Sequence, residues 1–307
     1  LKPTRKLSRD DIDLSLYETD FAELQKSENN ALADLERVES LQIWEPTDYE
    51  RYYLPRLRLA GIKDKNRIIL QNSADLHMHT EWSDGDDLEK VLEQALAVGL
   101  DAIAITDHDE IQGAFEARRL AHERRLPLAV VPGTEVSSLE GHIGALFVMK
   151  TFPKDLTAAE TVRLIHEAGG IAVAHHPYSP QWLDRVLGVR LGCGDLIKTV
   201  PFDAIECTNA VPGSGVKYNI AAIETMLKQH IKIAVTGSSD AHFAMFVGKG
   251  KTYYAGNEGI VSLRNSLVYG FTQGAEGYWK IREKMSYYFK LIRAVVKNAL
   301  KGHGSVN

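Results

Sequence analysis

From about residue 67 to residue 256 the chain alternates short apolar runs with longer stretches in which apolar residues recur every three or four positions. The short runs are SADLHM (73–78), AIAIT (102–106), LAVVPG (128–133), IGALFVM (143–149), IAVAH (171–175), DAIEC (203–207), IKIAV (231–235) and KTYYA (251–255). Their length and β-branched content predict strands. The longer stretches, DDLEKVLEQALAVG, IQGAFEARRLAHERR, TAAETVRLIHEAG, QWLDRVLGV and NIAAIETMLKQH, predict helices that bury one face. Strands this uniformly apolar are covered on both faces, and their alternation with helices predicts an α/β fold built as a parallel barrel. In such a barrel chemistry collects at the C-terminal ends of the strands.

The flanks differ in character. Residues 1–66 are polar and charge-rich, with Phe21, Leu24, Ala31, Leu35, Val38 and Leu41 at helical spacing, and predict a helical extension that Pro46, Pro55 and the turn GIKDKN separate from the barrel. Residues 278–307 carry seven Lys or Arg against one Glu, with Ile281, Met285, Tyr288, Ile292, Val295 and Ala299 three or four apart. That pattern predicts a basic amphipathic helix, suited to docking on the barrel or a second subunit, or to meeting anionic lipid or nucleic acid. Three segments follow: 1–66, 67–277 and 278–307.

Composition narrows the class. With 307 residues, 44% apolar and 25% charged, the chain is long enough for one large core plus appendages. A net charge of −5 argues against a generally cationic nucleic-acid binder. Two cysteines, Cys193 and Cys207, do not make a disulfide framework, and neither end resembles a signal peptide. No apolar run of about 18 residues occurs. A cytoplasmic location is the expectation, and the oligomeric state is open.

Polar residues at the predicted strand ends are of one chemical kind. DLHMHTEWSDG supplies His77, His79 and Asp84; AITDHD supplies Asp107 and His108; VPGTE supplies Glu135; GHIGALF supplies His142; VAHHPY supplies His175 and His176; IECTNA supplies Glu206 and Cys207; and VTGSSDAHF supplies Asp240 and His242. Imidazole nitrogen and carboxylate oxygen suit zinc, manganese and iron, and a carboxylate can bridge two ions. H-x-H and D-x-H pairs at a strand end aim both side chains to one side of the sheet. Because one ion takes about three protein groups beside water, this many candidates imply a cluster of two or three ions.

The ordered motifs DLHMHTEWSDG, ITDHD, GTEVS, GHIGALFV, AHHPY, IECTN and TGSSDAH resemble the PHP (polymerase and histidinol phosphatase) family of metal-dependent phosphoesterases over roughly residues 73–256. The resemblance implies a distorted TIM-like barrel of seven βα units with three divalent transition-metal ions (manganese, zinc or iron). Carried over position by position, it implies that His77, His79 and Asp240 hold the first ion, with Glu135 bridging to a second completed by His142 and His176. Asp84, His108 and His242 would hold the third. The doubled histidine departs from the family pattern, so His175 is either a phosphate or leaving-group contact or lies outside the ligands. Cys207 is either a ligand or not. Glu206, Asn209 and Asp107 are expected to orient ligands.

Metal ions lower the pKa of water from about 15.7 toward 7 and clamp the charged oxygens of a phosphoryl group. The implied reaction is hydrolysis of a phosphate mono- or diester on a small phosphorylated metabolite, a nucleotide or a short oligonucleotide. His242, His175 and Asp107 are candidate proton donors to the leaving group, and Arg185, Lys217 and Lys251 are candidate phosphate contacts. A metal-dependent amidohydrolase and a non-catalytic scaffold module are the competing readings.

Overall fold

The computed structural model describes residues 70–211, 215–256 and 259–276, together with Met285. The predicted helices at 1–66 and 278–307 lie outside the described residues, Met285 apart. The strands are β1 (Leu70–Asp75), β2 (Ala102–Ile105), β3 (Ala129–Ser138), β4 (Gly141–Leu146), β5 (Ile171–Ala174), β6 (Ala204–Asn209), β7 (Ala234–Ser238), β8 (Gly250–Ala255) and β9 (Thr272–Glu276). They form one sheet in the order β7-β6-β5-β4-β3-β2-β1-β8-β9. Its two ends approach each other: the Val235 N–H of β7 donates to the Thr272 hydroxyl of β9 at 3.1 Å, and the Gly237 N–H to the Thr252 hydroxyl of β8 at 3.0 Å. The sheet is thereby a nearly closed barrel.

The expected α/β barrel is present, but its regularity is lower than seven repeated βα units. Four of the eight neighbouring pairs, β3–β4, β4–β5, β1–β8 and β8–β9, are antiparallel. The physical reason is local. β3 runs on past Glu135 to Ser138 and turns back directly into β4, so no helix intervenes to return the chain for a parallel pairing. Consequently Glu135 and His142 both lie on paired strands, with Ser137 opposite His142.

Helices α1 (Leu88–Ala97), α2 (Gln112–Glu123), α3 (Ala158–Glu167), α4 (Gln181–Leu187), α5 (Gly215–Lys228) and α6 (Ile260–Tyr269) flank the sheet. α1 starts where the Asp87 side chain accepts the Lys90 N–H at 3.3 Å, and it buries Leu88, Val91, Leu92 and Ala95. α3 repeats the arrangement with Thr157 on the Glu160 N–H at 3.2 Å and a buried face of Ala158, Thr161, Val162 and Ile165. The apolar stripes read in the sequence are therefore the faces these helices bury. Among the described residues no helix is long and apolar enough to cross a membrane.

A candidate metal centre at the barrel mouth

The segments that follow β1, β2, β5 and β7 present polar side chains to one place, where β3 adds Glu135 and β4 adds His142. His77 and His79 follow β1, and that stretch is held open by a single parallel bridge from Met78 to Ala241 beyond β7. His79 N–H donates to the Ala241 carbonyl and Asp240 N–H to the His77 carbonyl, so the segments after β1 and β7 are stitched together. The SDG turn at 83–85 packs against the same place. A Cβ on Gly85 would lie 2.1 Å from the His79 carbonyl oxygen, so only glycine lets Asp84 return to the histidines.

Glu135 is at the centre. Its Oε1 has four imidazole nitrogens within 3.3 Å: His77 Nε2 (3.2 Å), His142 Nδ1 (3.3 Å), His175 Nδ1 (3.0 Å) and His176 Nε2 (3.3 Å). Its Oε2 faces His108 Nδ1 at 3.2 Å and His79 Nε2 at 3.5 Å. Asp240 Oδ1 sits 3.3 Å from His79 Nε2, 3.5 Å from His77 Nε2 and 3.6 Å from His242 Nδ1. At the solvent edge Asp84 Oδ2 lies 3.3 Å from His242 Nε2, and its Oδ1 3.9 Å from His108 Nε2. All nine residues expected as ligands come together.

Burial and charge act against each other throughout this cluster. Burial by itself would raise the Glu135 carboxyl, but the imidazoles of His77, His142 and His108 hold it well below the usual range. Asp240 is likewise pulled well below its ordinary value by His77, His79 and His242 in spite of its burial. Burial pushes the His79 imidazole down to about 3, assisted by the nearby His242. His242 goes the other way: Asp84 and Asp240 outweigh its burial and raise it to about 9.

The donor set fits divalent ions. His77 Nε2, both ring nitrogens of His79, Glu135 Oε2 and His176 Nδ1 are buried without a hydrogen-bond partner, which protein interiors rarely tolerate. Four overlapping sets, His79/Asp84/His108/His242, His77/His176/Asp240, His77/His79/Glu135 and His108/Glu135/His142, each bring their donor atoms within 4.8 Å of one another. Imidazole nitrogens grouped this closely, with an acidic oxygen in each set, suit divalent transition metals.

A second layer of polar groups holds this one. Glu206, fully buried on β6, lies 3.1 Å from His77 Nδ1 and accepts the His176 N–H at 2.7 Å, the Asn209 amide at 3.0 Å and the Ser238 hydroxyl. Asn209 also donates to Asp240 Oδ2 at 3.1 Å. His176 and Asp240 both have positive φ, 27° and 50°, and these bonds hold them there. Asp107 faces the loop after β1, accepting the Thr80 N–H (2.7 Å), the Thr80 hydroxyl (2.6 Å) and the Ser83 hydroxyl (2.6 Å).

The remaining sequence candidates are placed elsewhere. Cys207, one residue on from Glu206, points to the opposite side of β6 and meets Met226 of α5 at 3.3 Å. Lys251 donates to the Val98 carbonyl at the end of α1, Lys217 is exposed and lies over the Tyr218 ring on α5, and Arg185 is exposed on α4. The sequence reading missed Lys154, whose Nζ lies 3.0 Å from Oδ2 of Asp109, the residue after His108. The doubled acid in ITDHD, with Asp109 two residues after Asp107, was the available signal.

A family model described as PHP domain matches residues 75–303. The chain belongs to the PHP domain family. An uncharacterized protein of Methanocaldococcus jannaschii is 36% identical over 160 residues, which is 48% of this chain and 88% of that protein. A phosphoribosyl 1,2-cyclic phosphate 1,2-diphosphodiesterase of Eggerthella lenta is 46% identical over 67 residues, 22% of this chain and 25% of that enzyme. Among solved structures, a two-domain protein of Bacteroides vulgatus described as containing a predicted PHP-like metal-dependent phosphoesterase superposes with a TM-score of 0.54. It shares 19% identity, and the match covers 74% of each chain. The two share the fold over the matched part.

Proposed function

We propose that this PHP domain hydrolyses a phosphate mono- or diester on a small phosphorylated molecule, a nucleotide or the end of a short oligonucleotide, using two or three divalent ions held at the barrel mouth. Metal-dependent phosphoric ester hydrolysis is the reaction class of the family. The observation that carries the reading here is the position of Glu135, whose two oxygens face separate histidine sets on either side. A carboxylate so placed is built to bridge ions.

Ions bound there would supply Lewis acidity and an activated water to a phosphoryl group. The chain's own residues do the rest. His77 is buried and His176 and Asp240 are only 11% and 12% exposed at the base of the site, whereas His242, His108 and Asp84 are 30%, 27% and 56% exposed in their side chains and face arriving substrate. Of the three candidate proton donors, His242 alone stands at that edge; His175 is buried and Asp107 is committed to Thr80 and Ser83. Lys154, paired with Asp109 one residue past His108 in the chain, is the candidate cation for a phosphate oxygen that the ions leave uncovered.

The test is a screen of manganese-, zinc- and iron-loaded protein against phosphate monoesters, diesters, nucleotides and short oligonucleotides, with an amide panel beside it and Asp240→Ala as control. Phosphate release abolished in the control, with two or more metal equivalents per chain by elemental analysis, is the expected result. Amide cleavage in preference to phosphate release, or fewer than two equivalents, would overturn the assignment.

A further inference from the structure

The first histidine of AHHPY has no part in the four donor sets, yet it is the more deeply buried of the two. His175 is 1% exposed, its ring stacks on that of His77 at 3.7 Å between centroids and 16° between planes, and its Nδ1 approaches Glu135 Oε1 at 3.0 Å. The other ring nitrogen is turned to β4. A Cβ built on Gly144 would lie 2.2 Å from His175 Nε2 and 2.5 Å from Cε1, so the imidazole occupies the space that any other residue at 144 would fill. Gly144 is paired with Glu135 across the β3–β4 ladder. The strand that carries the carboxylate and the strand that accommodates the histidine are thus locked in one register.

This geometry excludes two roles. Walled by Gly144 on one edge and His77 on one face, the ring has no route to a phosphate or a leaving group. Its Nδ1 meets a carboxylate oxygen, and His175 belongs to none of the four donor sets.

We propose that His175 is a positioning residue for the bridging carboxylate, donating its Nδ1–H to Glu135 Oε1 and keeping that oxygen in place when the neighbouring histidines turn their lone pairs to ions. The inference rests on the metal-centre reading above. Four imidazoles crowd Oε1, but His77, His142 and His176 are ligand candidates and, once coordinating through the nitrogens that face it, have no N–H to offer there. His175 is the one that still does. A hydrogen bond to a ligating carboxylate of this kind fixes its orientation, and losing it typically costs about 10–100-fold in metal affinity.

The isosteres of histidine separate this from a packing role. The amide nitrogen of His175→Asn falls where Nδ1 stands, and that of His175→Gln falls where Nε2 stands. Manganese and zinc affinity would be measured by competition with a chromogenic chelator, and apo-protein melting would be followed in parallel. The expected result is affinity within a few-fold of wild type for His175→Asn and a loss on the order of 10–100-fold for His175→Gln and His175→Leu. Equal affinity of the Leu and Asn variants, or better rescue by Gln, would overturn the proposal. A variant-free readout guards against misfolding: nitrogen-15 histidine spectra of the zinc-loaded wild type, with His175 assigned through contacts to the Gly144 α-protons. The Nδ1–H tautomer supports the inference and the Nε2–H tautomer sinks it. A protein that releases no phosphate but still shows this tautomer and this ranking of metal affinity would discard the phosphoesterase reading alone.

Discussion

His77 Nδ1 and Glu206 Oε1 lie 3.1 Å apart in a part of the barrel that solvent does not reach, 129 residues apart in the chain. That contact fixes which nitrogen of His77 is left for coordination: with Nδ1 as donor to the carboxylate, Nε2 carries the lone pair toward Glu135 and Asp240. The same carboxylate holds the His176 backbone at its positive φ and steadies Asn209, so one buried acid orients residues from three strand ends.

Replacing Glu206 therefore affects ligands it does not resemble. Glu206→Ala leaves the His77 ring, the His176 N–H and the Asn209 amide without their acceptor, and a drop in metal affinity of about 10–100-fold is expected. Glu206→Gln retains an oxygen and is expected to lose less. Elemental analysis after dialysis against graded chelator checks both, and an alanine variant with full metal content would refute the orienting role.

Asp107 holds a loop. It is 1% exposed and accepts three hydrogen bonds from Thr80 and Ser83, so Asp107→Ala strands buried donors at about 1–3 kcal/mol each. A fall in urea midpoint is expected, together with preferential loss of whichever ion Asp84 and His79 hold, because both lie on the loop that Thr80 and Ser83 anchor. If Asp107 instead transferred protons to the leaving group, turnover would collapse while stability and metal content stayed at wild-type levels.

Metal removal is expected to destabilise the fold as well as stop turnover. Ions that bind the native state alone stabilise it by about 2.7 kcal/mol at a free concentration 100 times Kd, and here their ligands come from β3, β4 and the ends of β1, β2, β5 and β7. Extraction with chelator should lower the melting temperature, and manganese or zinc should restore it in a concentration-dependent manner. A melting temperature indifferent to chelator would mean that the cluster holds no ion tightly.

Much of this centre could be read from residue order because strand-end geometry is local. A short apolar run followed at once by His, Asp or Glu places the polar group at the barrel mouth whatever the remainder of the sheet does, and His77, His79, His108, His176 and Asp240 obey that logic. The antiparallel insertion did not follow from pattern: β3 and β4 are both apolar runs, and only the closeness of Ser138 to Gly141 distinguishes a hairpin from a crossover. β9, reading TQGAE, has no apolar alternation and was not expected, since it is placed by its pairing with Tyr254 through Gly250 of β8 and by Thr272 on β7. Nor could periodicity rank His175 against His176, since adjacent residues after a strand end differ only in how the chain turns.

Cys207 illustrates how one step along a strand reverses a role. Next to Glu206 in sequence, it faces α5 and Met226, and burial pushes its thiol up to about 12, as it does that of Cys193. At pH 8 the thiolate fraction of a group with that pKa is roughly one part in ten thousand, so both cysteines are expected to be silent toward a thiol reagent in the native protein and to react fully in denaturant. Raising the pH toward 10 increases the thiolate only about a hundredfold and should still leave both slow while the fold persists. Cys207→Ala should keep its full metal content and its apparent metal affinity, and cost about 1–2 kcal/mol in stability through the lost packing against Met226. Rapid alkylation of the native protein, or a metal deficit in that variant, would put the sulfur on the other side of the strand and among the ligands.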